Sequence, residues 1–202
     1  PHSQAPLAMG RPEMEQAAEQ FAAAAGRAAA AGFDLLALNM AHGYLLSSFL
    51  SPLTNRRNDD YGGRLENRLR FPLELFERVR AAWPAAKPLA VVLNASDCAS
   101  GGLEPAEAAL IAGRLKAAGC DLLEVAAGQT TPDARPAYGP GFLSHYSEHL
   151  HHEAGIPTLV DGYLTTSGAI NTLLAAGRAD LCFLTPTTQA GRPASSPASA
   201  TL

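Results

Sequence analysis

Asn39, His42 and Tyr44 stand within six residues of one another. An Asn amide and a neutral imidazole each offer an N–H, and a phenol offers an O–H. Together they form a set suited to binding a substrate and donating a proton. They sit at the end of an apolar stretch and are followed by a long polar loop and then a helix. Barrel enzymes present their chemistry in this way, from loops at the C-terminal ends of strands. The plainer alternative is that Asn39 and His42 are only polar loop ends.

A second cluster, His145-Tyr146-Ser147-Glu148-His149 with His151 and His152 beside it, has the HxxEH spacing of inverted zinc proteases. On a helix, positions i and i+4 share a face, so two imidazoles could hold one zinc. No Glu follows Glu153 to serve as a third ligand, so the residues read as a solvated helix face and no metal site is expected. There is no Gly-x-Ser-x-Gly elbow and no phosphate-cradling P-loop.

A net charge of -4 and no basic cluster longer than Arg56-Arg57 leave no face for nucleic acid. No apolar run reaches the roughly 18 residues of a membrane span. Cys98, Cys120 and Cys182 are odd in number, far apart and without CxxC spacing. They read as buried free thiols in a reducing cytoplasm. The chain starts at Pro1 without a Met or a signal segment, which reads as a cut from something longer.

The elements that must position these groups alternate. Helices are expected over 12–31, 65–83, 105–118, 143–154 and 167–176, and strands over 33–38, 88–93, 121–125, 155–160 and 179–184. Pro12 suits a first helical position and Gly32 a stop. Strands alternating with helices imply right-handed βαβ units around a parallel sheet. Apolar strands imply that both faces are covered. A (β/α)₈ barrel and an open doubly wound sheet both fit, and five strands alone cannot close the barrel. The absence of GxGxxG after the first strand gives a dinucleotide fold little support. The residues after 184 read as a linker or disordered tail.

The stretch from Asn39-Met40-Ala41-His42-Gly43-Tyr44-Leu45-Leu46 through Asp60-Tyr61-Gly62-Gly63-Arg64 to Asn67-Arg68-Leu69-Arg70-Phe71-Pro72 resembles the signature of the old yellow enzyme family of NADH:flavin oxidoreductases. The resemblance runs on more thinly to Leu184. The segments Gly128-Gln129-Thr130, Tyr138-Gly139 and Glu153-Ala154-Gly155-Ile156 look like the reductase-type half of bifunctional salicylyl-CoA and aminobenzoyl-CoA hydroxylases, a monooxygenase type. The resemblance implies an α/β fold in which residues 1–184 form a partial TIM (β/α)₈ barrel, strands four to eight with their helices. It implies FMN as cofactor, NAD(P)H as electron donor, and an enone-like or aryl-CoA substrate. Asn39 and His42 would hold the carbonyl oxygen while Tyr44 protonates the α carbon. The glycine-rich loop and helix start at residues 60–68 would be structural.

Gly162, in Asp161-Gly162-Tyr163, matches the backbone phosphate site of the family. Other matching positions depart from it: Val92 stands where an Arg near the flavin ring is expected, Pro186 where an Arg for the flavin phosphate is expected, Pro140 in place of a further Arg, and Cys98 in place of a Trp. Asn39 stands where the family usually has His. Two lost arginines remove roughly 3–6 kcal/mol of charge-assisted hydrogen bonding, so weak or absent FMN binding is expected. The missing N-terminal barrel half would come from the same or a partner chain. The alternative is a degenerate, flavin-free barrel fragment acting as a structural or interaction module.

Overall fold

The computed structural model describes residues 7–184. Five strands, β1 (Leu36–Met40), β2 (Leu89–Asn94), β3 (Leu122–Ala126), β4 (Thr158–Val160) and β5 (Leu181–Cys182), form one parallel sheet. Helix α1 (Arg11–Ala30) precedes it. Helices α2 (Leu45–Leu50) and α3 (Leu65–Ala82) link β1 to β2, and α4 (Pro105–Ala117), α5 (Ser144–Ala154) and α6 (Ser167–Ala175) link the later strands. The tail expected over 185–202 lies outside the described residues.

The strands lie in sequence order, β1-β2-β3-β4-β5. Every crossover therefore winds in the same sense. A doubly wound sheet reverses its strand order at a switch point. No reversal occurs among the described strands, so the winding is that of a barrel. Helices pack side by side in the same progression, α1 on α3, α3 on α4 and α4 on α5.

The core fills the space between those helices and one face of the sheet. Leu38, Met40, Leu89, Val91, Leu93, Leu123 and Val125 pack with Phe71, Leu75, Phe76, Val79, Ile111, Leu115 and Leu150 in one buried cluster. The alternate strand residues behave differently. Register places Asn39, Val92, Glu124, Leu159 and Leu181 in one row across all five strands, and each is half-buried or exposed. The expectation that both faces are covered is therefore wrong for the described residues. Val92, Leu159 and Leu181 make the strands read as apolar on both sides, but they line the open face.

Several boundaries also differ from expectation, and the fifth strand, expected over 179–184, is only Leu181–Cys182. The first strand begins at Leu36, not Phe33, because Phe33 is used to close α1. Gly32 adopts φ 86, Gly32 N donates to Ala29 O at 3.1 Å and Phe33 N donates to Ala28 O at 3.2 Å. This capping turn leaves Phe33 and Leu35 exposed. Asn39 consequently lies inside the strand. The fourth strand starts at Thr158 because Gly155, at φ 60, ends α5 in a left-handed cap. Helix α2 replaces the start of the expected polar loop. It is six residues long, too short for a helical period to register, yet it buries Leu46, Phe49 and Leu50.

The loop that leads into α3 is pinned as a structural unit. A Cβ at Gly62 would lie 2.2 Å from Arg57 O, so only glycine fits there. Asn67 Nδ2 donates to Gly62 O at 3.2 Å and Arg68 Nε to Gly63 O at 3.1 Å. Buried Arg68 also pairs with Glu107 of α4.

Candidate active site

Asn39 projects onto the open face from the end of β1. Its Oδ1 accepts from Ala41 N at 2.8 Å. That bond fixes the amide orientation and leaves Nδ2 as a donor directed away from its own backbone. The chain then turns sharply. His42 is left-handed at φ 61 and Gly43 at φ 72. A Cβ at Gly43 would meet Gln129 O and Thr130 O at 3.2 Å, so the turn rides closely on the loop after β3. His42 is half-buried, and its backbone N–H donates to Asn94 Oδ1 at 3.4 Å. Tyr44, the residue just before α2, is 64% exposed.

A buried network lies under this turn. Asp97, 1% exposed, accepts from Ser51 Oγ at 2.6 Å and Leu103 N at 2.7 Å through Oδ2, and from Thr130 Oγ1 at 2.6 Å through Oδ1. Asn94 Nδ2 donates to Thr130 Oγ1 at 2.9 Å and to Gly128 O at 3.0 Å, while Asn94 Oδ1 holds His42. One carboxylate and one amide thus bind the loops that follow β1, β2 and β3. Buried charges persist when hydrogen-bonded in this manner.

A cavity of about 180 Å³ opens beside His42, where β3 and β4 end. Glu124, Asp161 and Gly162 line it, together with the rings of Tyr138, Phe142 and Tyr163. Burial, and then the charge of Asp161, push the Glu124 carboxyl above the usual carboxylate range. Among the described residues lining the cavity there is no Arg or Lys. Arg178 is turned to Glu148 of α5, with Nε 3.5 Å from Oε2.

The expected site residues therefore separate into groups. His42 and Gly162 share the cavity. Asn39 and Val92 are register partners on the open face, and Val92 is in turn the partner of Glu124. Tyr44 belongs to the same turn as His42 but does not line the cavity. Pro186 lies outside the described residues. In the His-rich helix, His151 Nδ1 lies 3.0 Å from Asp180 Oδ2. Among the described residues no three His, Cys, Asp or Glu side chains converge as a metal site. The cysteines are free, with Cys120 buried and Cys98 and Cys182 half-buried.

Asp97, Asn94, Thr130 and Ser51 were not evident in the sequence as a site. Their partners lie 33 to 46 residues apart along the chain in the Thr130–Asp97 and Ser51–Asp97 bonds, and no local spacing reports such pairs. Glu124 did carry a signal: it is the one charge inside the apolar strand Leu122–Ala126, which marks a face that is not packed.

A parallel arc of βα units in sequence order, with its polar residues gathered where strands end, is part of a (β/α)₈ barrel. The chain belongs to the NADH:flavin oxidoreductase / NADH oxidase family, whose model matches residues 2–185. It is 40% identical over 182 residues to an NADPH dehydrogenase of Geobacillus thermodenitrificans, covering 90% of this chain and 53% of that protein. Among solved structures, 2-naphthoyl-CoA reductase in complex with 2-naphthoyl-CoA superposes with a TM-score of 0.80 at 28% identity, over 87% of this chain and 28% of that one. Morphinone reductase in complex with tetrahydroNAD superposes at 0.71 and 28% identity, over 90% of this chain and 47% of that one. The chain spans about half the length of the curated relatives it matches, and its five strands are strands four to eight of the barrel. The family is one of flavin-dependent, NAD(P)H-using oxidoreductases. No helix among the described residues is long and apolar enough to cross a membrane.

Proposed function

We propose that this chain carries the carbonyl-activating face of a reductase acting on an enone-like substrate, with an aryl-CoA thioester as the favoured class. The observation that carries the reading is the locked Asn39 amide. Its oxygen is engaged by Ala41 N at 2.8 Å, so its N–H group is presented to the open face beside the His42 turn. Two N–H donors on one carbonyl oxygen draw charge out of a conjugated double bond and stabilise the negative charge that develops when a hydride adds to the β carbon. Removing one donor of this kind lowers rates by about 10²–10³. The Tyr44 hydroxyl then supplies the proton that the α carbon takes up. The structural likeness to a reductase that binds 2-naphthoyl-CoA supports the aryl-CoA class.

Family members take their hydride from a flavin that NAD(P)H recharges. The described residues fit the substrate side of that chemistry better than the FMN side. Val92 offers no donor on the open face, and Glu124 and Asp161 bring negative charge to the cavity that contains Gly162. Such a lining does not fit a phosphate, which supports weak FMN binding by this segment. Among the described residues the sheet face is open and the outer edge of β1 is unpaired, which supports a partner element, the remaining barrel strands, supplied by the same polypeptide or another chain.

The test is carbonyl binding. 2-Cyclohexenone is titrated into the full chain while the His42 imidazole is followed by ¹⁵N NMR. His42→Ala and Asn39→Ala should each weaken binding by about tenfold, the effect of one lost hydrogen bond in a site. Tyr44→Phe should leave binding intact. A His42 signal that does not move at saturating ketone sinks the reading.

A further inference from the structure

We propose that the cavity where β3 and β4 end binds a small organic ammonium ion, with the charge held by Glu124 and Asp161 and the organic body by Tyr138, Phe142 and Tyr163. The open-face row sets Val92 and Leu159 on either side of Glu124. A half-buried carboxylate is ordinarily matched by a cation or by hydrogen bonds. Here its lateral neighbours are two aliphatic side chains. None of the ion pairs among the described residues includes Glu124 or Asp161. Burial, and then the charge of Asp161, push the Glu124 carboxyl up, a direction that an entering cation reverses.

The rings are a separate observation. Tyr138 and Phe142 have centroids 5.2 Å apart, Tyr138 and Tyr163 6.1 Å, and Phe142 and Tyr163 6.2 Å, all edge to face. Tyr138 and Tyr163 each leave about half their surface open. Ring faces attract cations within about 6 Å. The backbone is bent to assemble this wall. Tyr163 sits at φ 59, a conformation that disfavours a bulky residue. The preceding Gly162 is at φ 94, and a Cβ there would lie 2.9 Å from Phe142 Cε1. Carboxylates and aromatic rings without Arg or Lys favour an ammonium group and oppose a phosphate. The volume, about 180 Å³, falls below the ~300–1,000 Å³ of sites for drug-sized ligands, so the ligand is small. The inference concerns binding alone and goes beyond the proposed reduction.

Benzylammonium chloride is titrated into the full chain by calorimetry, with benzyl alcohol as its uncharged counterpart and inorganic phosphate as the anion. Benzylammonium should bind at least about tenfold more tightly than benzyl alcohol, as one charge-assisted contact implies. Glu124→Gln should weaken benzylammonium by about the same factor. Val92→Arg, which sets a guanidinium beside Glu124, should do likewise while keeping the carboxylate. Thermal melts establish that each variant folds, and Tyr163→Leu, on an exposed loop, is read in place of any variant that does not. No binding of benzylammonium, equal binding of the alcohol, phosphate binding in its stead, or unchanged affinity in the folded variants overturns the proposal. Failure of 2-cyclohexenone to reach His42 leaves these outcomes unchanged, so the two readings fail separately.

Discussion

Replacing Asp97 by Ala should unfasten the turn that carries His42. Asp97 accepts three hydrogen bonds of 2.6, 2.7 and 2.6 Å from Ser51 Oγ, Leu103 N and Thr130 Oγ1. Bonds to a charged acceptor are worth roughly 1.5–3 kcal/mol each. Their gross sum is reduced by the desolvation of a carboxylate that is 1% exposed. It is reduced further because Ser51 and Thr130 can turn their hydroxyls to other acceptors. A net loss of about 3–5 kcal/mol follows, a large part of the ~5–15 kcal/mol available to a domain. Asp97→Asn retains an oxygen for Ser51 and Leu103, and its NH₂ can donate to Thr130 Oγ1, so it should lose only about 1–2 kcal/mol. Urea unfolding of the three proteins, followed by the fluorescence of buried Trp83 and by circular dichroism, measures both differences. A loss below about 1 kcal/mol in Asp97→Ala, or equal losses in the two variants, refutes the reasoning that this carboxylate binds the loops together.

Further outcomes follow from the titrating groups. The folded-state pKa of Glu124 is raised by burial and by Asp161. Its contribution is therefore most favourable below the ordinary carboxylate range, and is lost as pH rises through the raised value. Glu124→Gln should raise the melting temperature relative to the parent at pH 7, and the difference should vanish near pH 4; a difference independent of pH contradicts this. Burial pushes the Cys120 thiol up to about 11 from the ordinary 9.0, about a hundredfold less thiolate at pH 8. Cys98, half-buried, should be alkylated by iodoacetamide well before Cys120 under native conditions, as peptide mapping will show. Val92→Arg should raise affinity for added FMN by about tenfold, one charge-assisted contact, in a fluorescence-quenching titration.

Much of the fold is legible in the chain because helix and strand periods are local. The span expected over 105–118 is α4 (Pro105–Ala117), and the span over 65–83 is α3 (Leu65–Ala82). The failures fall where a residue serves two elements at once. Phe33 is apolar enough for a strand, yet its N–H is taken by the α1 cap. Val92 and Val91 are identical in kind, but one is half-buried on the open face and the other has no exposure at all. Nothing in the residue type separates them. In the site, Asn39, His42 and Tyr44 could be found because they are contiguous. The Asp97 network could not, since its members meet only after three strands have been laid side by side.

That network also divides the site into parts of unequal dependence. The Asn39 amide and the backbone of His42 are fixed by bonds whose partners all lie among the described residues: Ala41 for the Asn39 amide, and Asn94, Thr130 and Asp97 in series for the His42 backbone. The loop after β4 has no comparable anchor. Gly141 N donates to Gly162 O at 3.4 Å, and the remaining hold is apolar, from the ring contacts and from Leu164, buried with Leu143 and Val160. Asn94 substitutions should therefore disturb carbonyl binding and loosen the His42 edge of the ammonium cavity, whereas Tyr163 substitutions should weaken ammonium binding and leave carbonyl binding unchanged. A double-mutant cycle of Asn94→Ala with Tyr163→Leu should give additive losses within about 0.5 kcal/mol. Coupling well above that would mean that the substrate-side turn and the loop after β4 move as one body, and that the Asn39–His42 turn does not keep its geometry by itself.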